Sequence, residues 1–167
     1  DILNTVPNSR LLLKFTEGKD PEVREYYYNL FAENGLENPK ERLILSGWLV
    51  HLEHFELYNN VDIALDTYPY NGTTTTCQAL LMGVPVITLV GYRHSSRVGL
   101  DILSRIDMQF FAAQTPEEYV KKAVALASNP EALTQIRANM RKRLAASPLC
   151  NYGLIANDIE NAYRKMW

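Results

Sequence analysis

Cysteine is nearly absent. Cys77 and Cys150 are the only two in 167 residues, they are far apart, and neither has partners at metal-ligand spacing. That excludes a disulfide framework and a Cys/His zinc module. Long hydrophobic runs are missing too, so no membrane span is visible, and the opening DILNTVPNSR lacks a charged segment followed by an apolar one. These absences lead us to expect a cytoplasmic protein without membrane contact. Charge of one sign is also lacking: 17 Lys and Arg stand against 19 Asp and Glu, for a net charge of −2. The basic residues are dispersed, which points away from nucleic-acid polymers. The one basic cluster, Arg137, Arg141, Lys142 and Arg143, falls in a helical segment and reads as a solvated helix face. Closely paired aspartates are missing as well. Asp62 and Asp66 are four apart on a strand, too far along it for a tight chelate, and no metal is expected.

What is present is enough apolar material for a core, 47% of residues, in a length that suits one domain. Short apolar runs alternate with longer segments at helical spacing. This pattern predicts an α/β fold, Rossmann-like, with a mostly parallel sheet and helices on both faces. Strands are expected at Arg10 to Phe15, Arg42 to Ser46, Asp62 to Asp66 and Val86 to Val90, with a short one near Gln109 to Ala112. Helices are expected at Pro21 to Asn34, Val50 to Asn59, after Thr73, and at Pro116 to Ser128, Pro130 to Ala146 and Tyr152 to Trp167. Pro21 and Gly35 punctuate the first helix, and Thr115 with Glu118 fits a capping box. Three adjacent tyrosines, Tyr26 to Tyr28, cannot share one helix face, so at least one is exposed. Val120, Ala123, Val124 and Ala127 form an apolar stripe, as do Ile155, Ile159, Ala162 and Met166. No repeat or long linker divides the chain, which reads as a single domain over 1–167.

The densest chemical signal is Asp62 to Leu89, DIALDTYPYNGTTTTCQALLMGVPVITL. An apolar strand runs into the turn Asn71-Gly72, and Thr73, Thr74, Thr75 and Thr76 lead into an amphipathic helix. First-turn amides have no intrahelical acceptor, and with threonine hydroxyls beside them and the positive end of the helix dipole they suit a diphosphate without any lysine. The plainer alternative is an ordinary threonine cap after an Asn-Gly turn. Four threonines in succession argue for ligand contact, because they have poor helix propensity and share no packing role. Cys77, on the apolar face, reads as a small buried hydrophobe.

Ligands in parallel α/β sheets bind at the C-terminal ends of the strands, which directs attention to two further loops. In Gly47 to His54, GWLVHLEH, His51 and His54 share one helix face. Metal binding would need a third ligand such as Glu53, which points elsewhere, whereas an imidazole pair can flank a flat base and hydrogen-bond its oxygens. In Tyr92 to Gly99, Arg93 or Arg97 either faces a diphosphate, an acceptor or another lobe, or pairs with Asp101 or Asp107. His94 lies beside Ser95 and Ser96, but no acid completes a hydrolase triad. Lys14, at the end of the first strand, is within reach of a phosphate but reads more simply as solvated.

The run LDTYPYNGTTTTCQALLMGVPVITLVGYRHSSRVG resembles the C-terminal lobe of the O-GlcNAc transferase and SPINDLY family of GT-B glycosyltransferases. The likeness extends from VPNSRLLLKF through SGWLVHLEH and SPLCN to AYRKMW, nearly the whole chain. It implies the donor lobe of an inverting enzyme that moves a sugar, GlcNAc from UDP-GlcNAc, to serine or threonine of a protein acceptor. O-fucosyl transfer from GDP-fucose, a nucleotide- or partner-binding module without turnover, and a two-lobed sugar-nucleotide epimerase are the competing readings. The resemblance further implies an N-terminal catalytic lobe and tetratricopeptide repeats elsewhere, a terminal helix bracing that lobe with its stripe exposed here, and no turnover by these residues alone. By residue, it assigns the Leu49 backbone to the base edge and His54 to a place beside the base, and it matches His51 to a lysine of the animal enzymes. Thr73, Thr74 and Thr75 match the pyrophosphate-binding segment. Thr73 replaces the histidine of animal O-GlcNAc transferases in the manner of SPINDLY. Gln78 stands where an acidic residue accepts from the ribose hydroxyls. No residue is assigned to catalysis and no metal is implied.

Overall fold

Side-chain caps from Asp20, Thr115, Asn129 and Asn151 start four helices of the computed structural model, which describes residues 1–167. Its internal packing separates two units, Asp1–Val61 and Asp62–Trp167. The first contains α1 (Ile2–Thr5), β1 (Leu11–Lys14), α2 (Pro21–Glu33), α3 (Pro39–Arg42), β2 (Leu43–Ser46) and α4 (His51–Leu57), then a 3-10 turn at Tyr58–Asn60. β1 and β2 pair in parallel, Leu11 opposite Leu43 and Lys14 opposite Ser46. The Asp20 carboxylate accepts from the N–H groups of Glu22 (2.8 Å) and Val23 (3.2 Å) and so starts α2 at Pro21, while Gly35 closes it at φ +83°. Tyr28 turns into a core with Leu36, Leu43 and Leu45, flanked by Leu11, Leu13 and Phe31, and Tyr26 is left outside. Two arginines tie this core to its loops. Arg24 donates to the Leu45 carbonyl (3.0 Å) and the Tyr28 hydroxyl (3.0 Å), and Arg42 donates to the Leu3 (2.7 Å) and Ser9 (2.5 Å) carbonyls.

The second unit contains β3 (Ala64–Leu65), α5 (Thr74–Leu81), β4 (Val86–Leu89), α6 (Val98–Ser104), β5 (Ala112–Ala113), α7 (Pro116–Ala127), α8 (Pro130–Ala145) and α9 (Tyr152–Met166). Its strands run parallel in the order β3-β4-β5, with Ala64 opposite Val86 and Thr88 opposite Ala112. Val86, Ile87 and Thr88 of the central strand are buried, in a unit whose fully buried side chains include Leu80, Leu103, Ile106 and Met140. α5 ends in a Schellman motif. Gly83 at φ +78° donates to the Leu80 carbonyl (3.0 Å) and Val84 to the Ala79 carbonyl (2.8 Å). α7 starts at the expected Thr115 cap, whose hydroxyl accepts from Glu118 N–H (3.2 Å). The returning bond differs from a standard box: the Glu118 carboxylate accepts from Gln114 N–H (2.6 Å).

The expected α/β order holds, with differences of physical origin. The strands form two separate parallel sheets, and β3 keeps only two residues of the span expected at Asp62 to Asp66. Gln109–Phe111 is a 3-10 turn leading into β5 instead of a strand. α6 went unread because Gly99 near its start breaks the helical pattern, and Gly99 is there because of a close approach described below. The basic cluster of α8 is more than a solvated face. Arg137 donates to the Asp62 carbonyl (3.2 Å), Arg141 to Leu81 (3.0 Å) and Arg143 to Ile106 (3.5 Å), satisfying carbonyls near the ends of neighbouring elements. Ala123 of the α7 stripe is buried, whereas Ile155, Ile159 and Met166 of α9 are all exposed. No helix is long and apolar enough to cross a membrane.

Candidate functional site

The threonine turn is held from beneath by a carboxylate. Asp66 follows β3 and is half-buried; its Oδ1 accepts from Gly72 N–H (2.7 Å) and its Oδ2 from the Thr88 hydroxyl of β4 (2.6 Å). Burial raises its pKa above the ordinary aspartate value, and those bonds oppose the rise without cancelling it. The Tyr119 hydroxyl of α7 donates to the Asp66 carbonyl (2.9 Å), and burial followed by the Asp66 charge pushes that phenol upward. Asn71 is more than a turn residue. It is 1% exposed, its amide donates to the Thr67 carbonyl (2.9 Å), its Oδ1 accepts from Gly99 N–H (3.3 Å), and its N–H donates to Ser95 O (2.8 Å). One residue thus ties the turn to Thr67, Ser95 and Gly99, through its side chain and its main chain together. A Cβ at Gly72 would collide with Thr75 Oγ1, and one at Gly99 would collide with Thr88 Oγ1 and lie 2.6 Å from Asp66 Oδ2. Both glycines are there because the backbone passes too close for a side chain.

On this platform Thr73 is the N-cap residue of α5, and its side chain makes no capping bond. The first main-chain bond back to it comes from Cys77 N–H (3.1 Å), so the amides of the turn ahead have no intrahelical acceptor. Thr73, Thr74 and Thr75 are exposed beside them. Thr76 is the exception: it is buried and its hydroxyl donates to Gly72 O (2.8 Å). Gln78, one turn beyond Thr74, is half-buried. Cys77 is only partly buried, and burial, followed by the Cys150 thiol, raises its pKa.

The base-reading candidates belong to the first unit. Leu49 lies in the extended segment before α4 and is half-buried. His51 opens α4 exposed, its ring 5.0 Å from that of Phe55. His54, one turn on, is half-buried against Phe55 and Tyr58, 5.6 and 5.3 Å between ring centres. Glu53 caps its own helix, accepting from Val50 N–H (3.4 Å). No three His, Cys, Asp or Glu side chains converge in a way that could hold a metal. Lys14 is not simply solvated. Its Nζ lies 3.2 Å from His54 Nδ1 and 5.6 Å from the centre of the exposed Trp48 ring.

The segment after β4 turns two of its polar side chains onto its own backbone. Arg97 donates to the Gly91 carbonyl (3.2 Å), and Asp101 pairs with Arg105 (2.9 Å). The Ser96 hydroxyl is buried and donates to Arg93 O (3.0 Å), a turn-forming role, while Arg93 and His94 are exposed.

A protein-family model described as glycosyl transferase family 41 matches residues 1–159. The chain belongs to this family. It is 40% identical over 166 residues to a probable UDP-N-acetylglucosamine-peptide N-acetylglucosaminyltransferase SPINDLY of Arabidopsis thaliana, covering 99% of this chain and 18% of that protein. A protein of the same name from Hordeum vulgare is 39% identical over 168 residues, with the same coverage of 99% and 18%. Among solved structures, a variant of the Thermobaculum terrenum O-GlcNAc transferase superposes with a TM-score of 0.92 at 34% identity, over 99% of this chain and 32% of that one. The chain therefore spans about a fifth of the plant relatives. Its parallel sheets flanked by helices are those of the family 41 α/β lobe.

Of the family 41 candidates, Leu49, His51 and His54 fall in the first unit, and Thr73, Thr74, Thr75 and Gln78 in the second. Sequence reasoning missed Asp66, Asn71, Thr88 and Lys14 as supporting residues. For Asp66 a signal existed, since a carboxylate directly after a buried strand needs donors. For Lys14 none did, because its partner is 40 positions away.

Proposed function

We propose that this chain is the donor-binding lobe of an inverting protein O-glycosyltransferase that transfers GlcNAc from UDP-GlcNAc to serine or threonine. The observation that carries the proposal is the start of α5: an uncapped helix N-terminus flanked by exposed Thr73, Thr74 and Thr75 and braced by Asp66, in a family 41 chain. In this reading the threonine hydroxyls and first-turn amides take the diphosphate, with Gln78 at the ribose and Leu49, His51 and His54 at the base. As the acceptor hydroxyl attacks the anomeric carbon, charge builds on the departing diphosphate, and preorganised donors stabilise it without a metal. Gln78 bonds ribose without the charge assistance of a carboxylate, which weakens the donor contact and leaves its geometry unchanged.

Calorimetry with UDP tests the reading. Thr74→Val with Thr75→Val should weaken binding by about 2–4 kcal/mol, at about 1.5 kcal/mol per hydrogen bond to a charged group with incomplete additivity. An unchanged dissociation constant in a folded variant would remove the phosphate site from this turn. Because Thr73 and the GTTTTC run follow the SPINDLY form, the titration is repeated with GDP and GDP-fucose. Preferential guanine binding would replace the GlcNAc assignment with O-fucosyl transfer.

A further inference from the structure

Lys14 ends β1 opposite Ser46, and from Ser46 the chain runs through Gly47–Val50 into α4. Lysine and helix start therefore both lie at the C-terminal ends of this unit's parallel strands, where such folds bind ligands. The Lys14 ammonium sits 3.2 Å from His54 Nδ1 and over the face of Trp48. An ammonium has three donors and no acceptor, so at this distance Nδ1 must present its lone pair. A neutral imidazole with a lone pair on Nδ1 carries its proton on Nε2. An imidazolium, with donors on both nitrogens, would set N–H against N–H and one positive charge against another. His51 has no such partner; its ring only packs on Phe55. The two histidines on one helix face are therefore chemically unlike.

We propose that Lys14 is a positioning residue for His54: its ammonium donates to Nδ1 and holds the ring as the neutral Nε2–H tautomer, presenting a fixed N–H donor to a carbonyl or hydroxyl oxygen of a bound nucleoside. The proposal deepens the reading of His54 as a base contact and rests on it. The Phe55 and Tyr58 rings pack against that of His54, at 5.6 and 5.3 Å between centres, and the Trp48 face lies 5.6 Å from the lysine ammonium. Removing Lys14 frees the ring to exchange tautomers, so only part of the population offers the correct donor and apparent affinity falls accordingly.

The test reads His54 directly. In long-range proton-nitrogen NMR spectra of the nitrogen-15-labelled chain at neutral pH, His54 should show a proton-bearing Nε2 and a bare Nδ1. Lys14→Met should give a mixture of the two tautomers, and Lys14→Arg, whose guanidinium also only donates, should restore the wild-type pattern. In UDP calorimetry Lys14→Met should weaken binding about fivefold, the scale of one neutral hydrogen bond, and should have no further effect in a His54→Ala background. An Nδ1–H tautomer in the wild type overturns the proposal. So does an equal loss in both backgrounds, which would make Lys14 a direct ligand contact. If the wild type binds no nucleotide, the functional reading fails, and the spectra alone decide the Lys14 role.

Discussion

Replacing Asp66 should separate the charge of this residue from its hydrogen-bonding geometry. Asp66→Ala strips the acceptor from the buried Thr88 hydroxyl and from Gly72 N–H. Hydrogen bonds to a charged group are worth about 1.5–3 kcal/mol each, and a stranded buried donor costs about 1–3 kcal/mol. Water can reach the half-exposed side of the carboxylate and replace part of what is lost, so the net destabilisation should be about 2–4 kcal/mol. Asp66→Asn keeps the shape. Its Oδ1 still accepts from Gly72, its amide donates to Thr88 Oγ1 once that hydroxyl rotates, and a desolvated charge is gone, so the cost should stay below about 1 kcal/mol. The pH dependence has a definite sign. Because the folded-state pKa of Asp66 is raised above 3.8, the native state binds more protons than the unfolded one in the window above that value. Asp66 therefore contributes a loss of stability as pH rises through the window, and the asparagine variant lacks this contribution. Urea unfolding of the three proteins at several pH values from about 4 to about 7 measures both effects. Equal stability of the alanine and asparagine variants, or a wild type gaining on asparagine as pH rises, would refute the reasoning.

Three further outcomes are expected. Gly99→Ala places a Cβ 2.6 Å from Asp66 Oδ2 and against Thr88 Oγ1, both held in hydrogen bonds, and should destabilise the chain by about 3 kcal/mol or more in the same unfolding assay. Ile155→Glu and Ile159→Glu, on the exposed face of α9, should each change the stability of this chain by less than about 0.5 kcal/mol; a larger loss would mean that the face is covered. UDP affinity measured with excess chelator and with added magnesium or manganese should agree within about twofold, and a large gain with metal would contradict diphosphate binding by helix amides and hydroxyls alone.

Much of the element order was legible because its causes are local. Pro21 after Asp20, Thr115 before Pro116, and Gly35 each announce a boundary within one or two residues, and those helices begin or end as expected. The apolar runs at Leu11–Leu13 and Val86–Ile87 mark strands for the same reason, the first partly buried and the second fully. What escaped depends on distant partners. Gly99 looks like a helix breaker until Thr88 and Asp66 are seen pressed against it, and so α6 was missed. The α8 arginines look solvated until the carbonyls of Asp62, Leu81 and Ile106 are brought beneath them. Of the candidate site, the helix start at the threonine run could be read from residue type and spacing. Asn71 was reduced to a turn residue, because nothing local says that its amide also bridges to Gly99 and Thr67.

The four consecutive threonines are chemically identical but not equivalent: Thr76 is buried and bonds Gly72 O, while the preceding three are exposed. A saturation scan across this run should therefore yield two classes of variant. Changes at positions 73 to 75 should spare the amount of folded protein and fall on ligand capture. Changes at 76 should lower the amount of folded protein first, because a buried hydroxyl that closes a turn has no room for a larger replacement. A screen that scored only activity would merge the two and count Thr76 as a binding position; pairing it with an abundance readout keeps them apart.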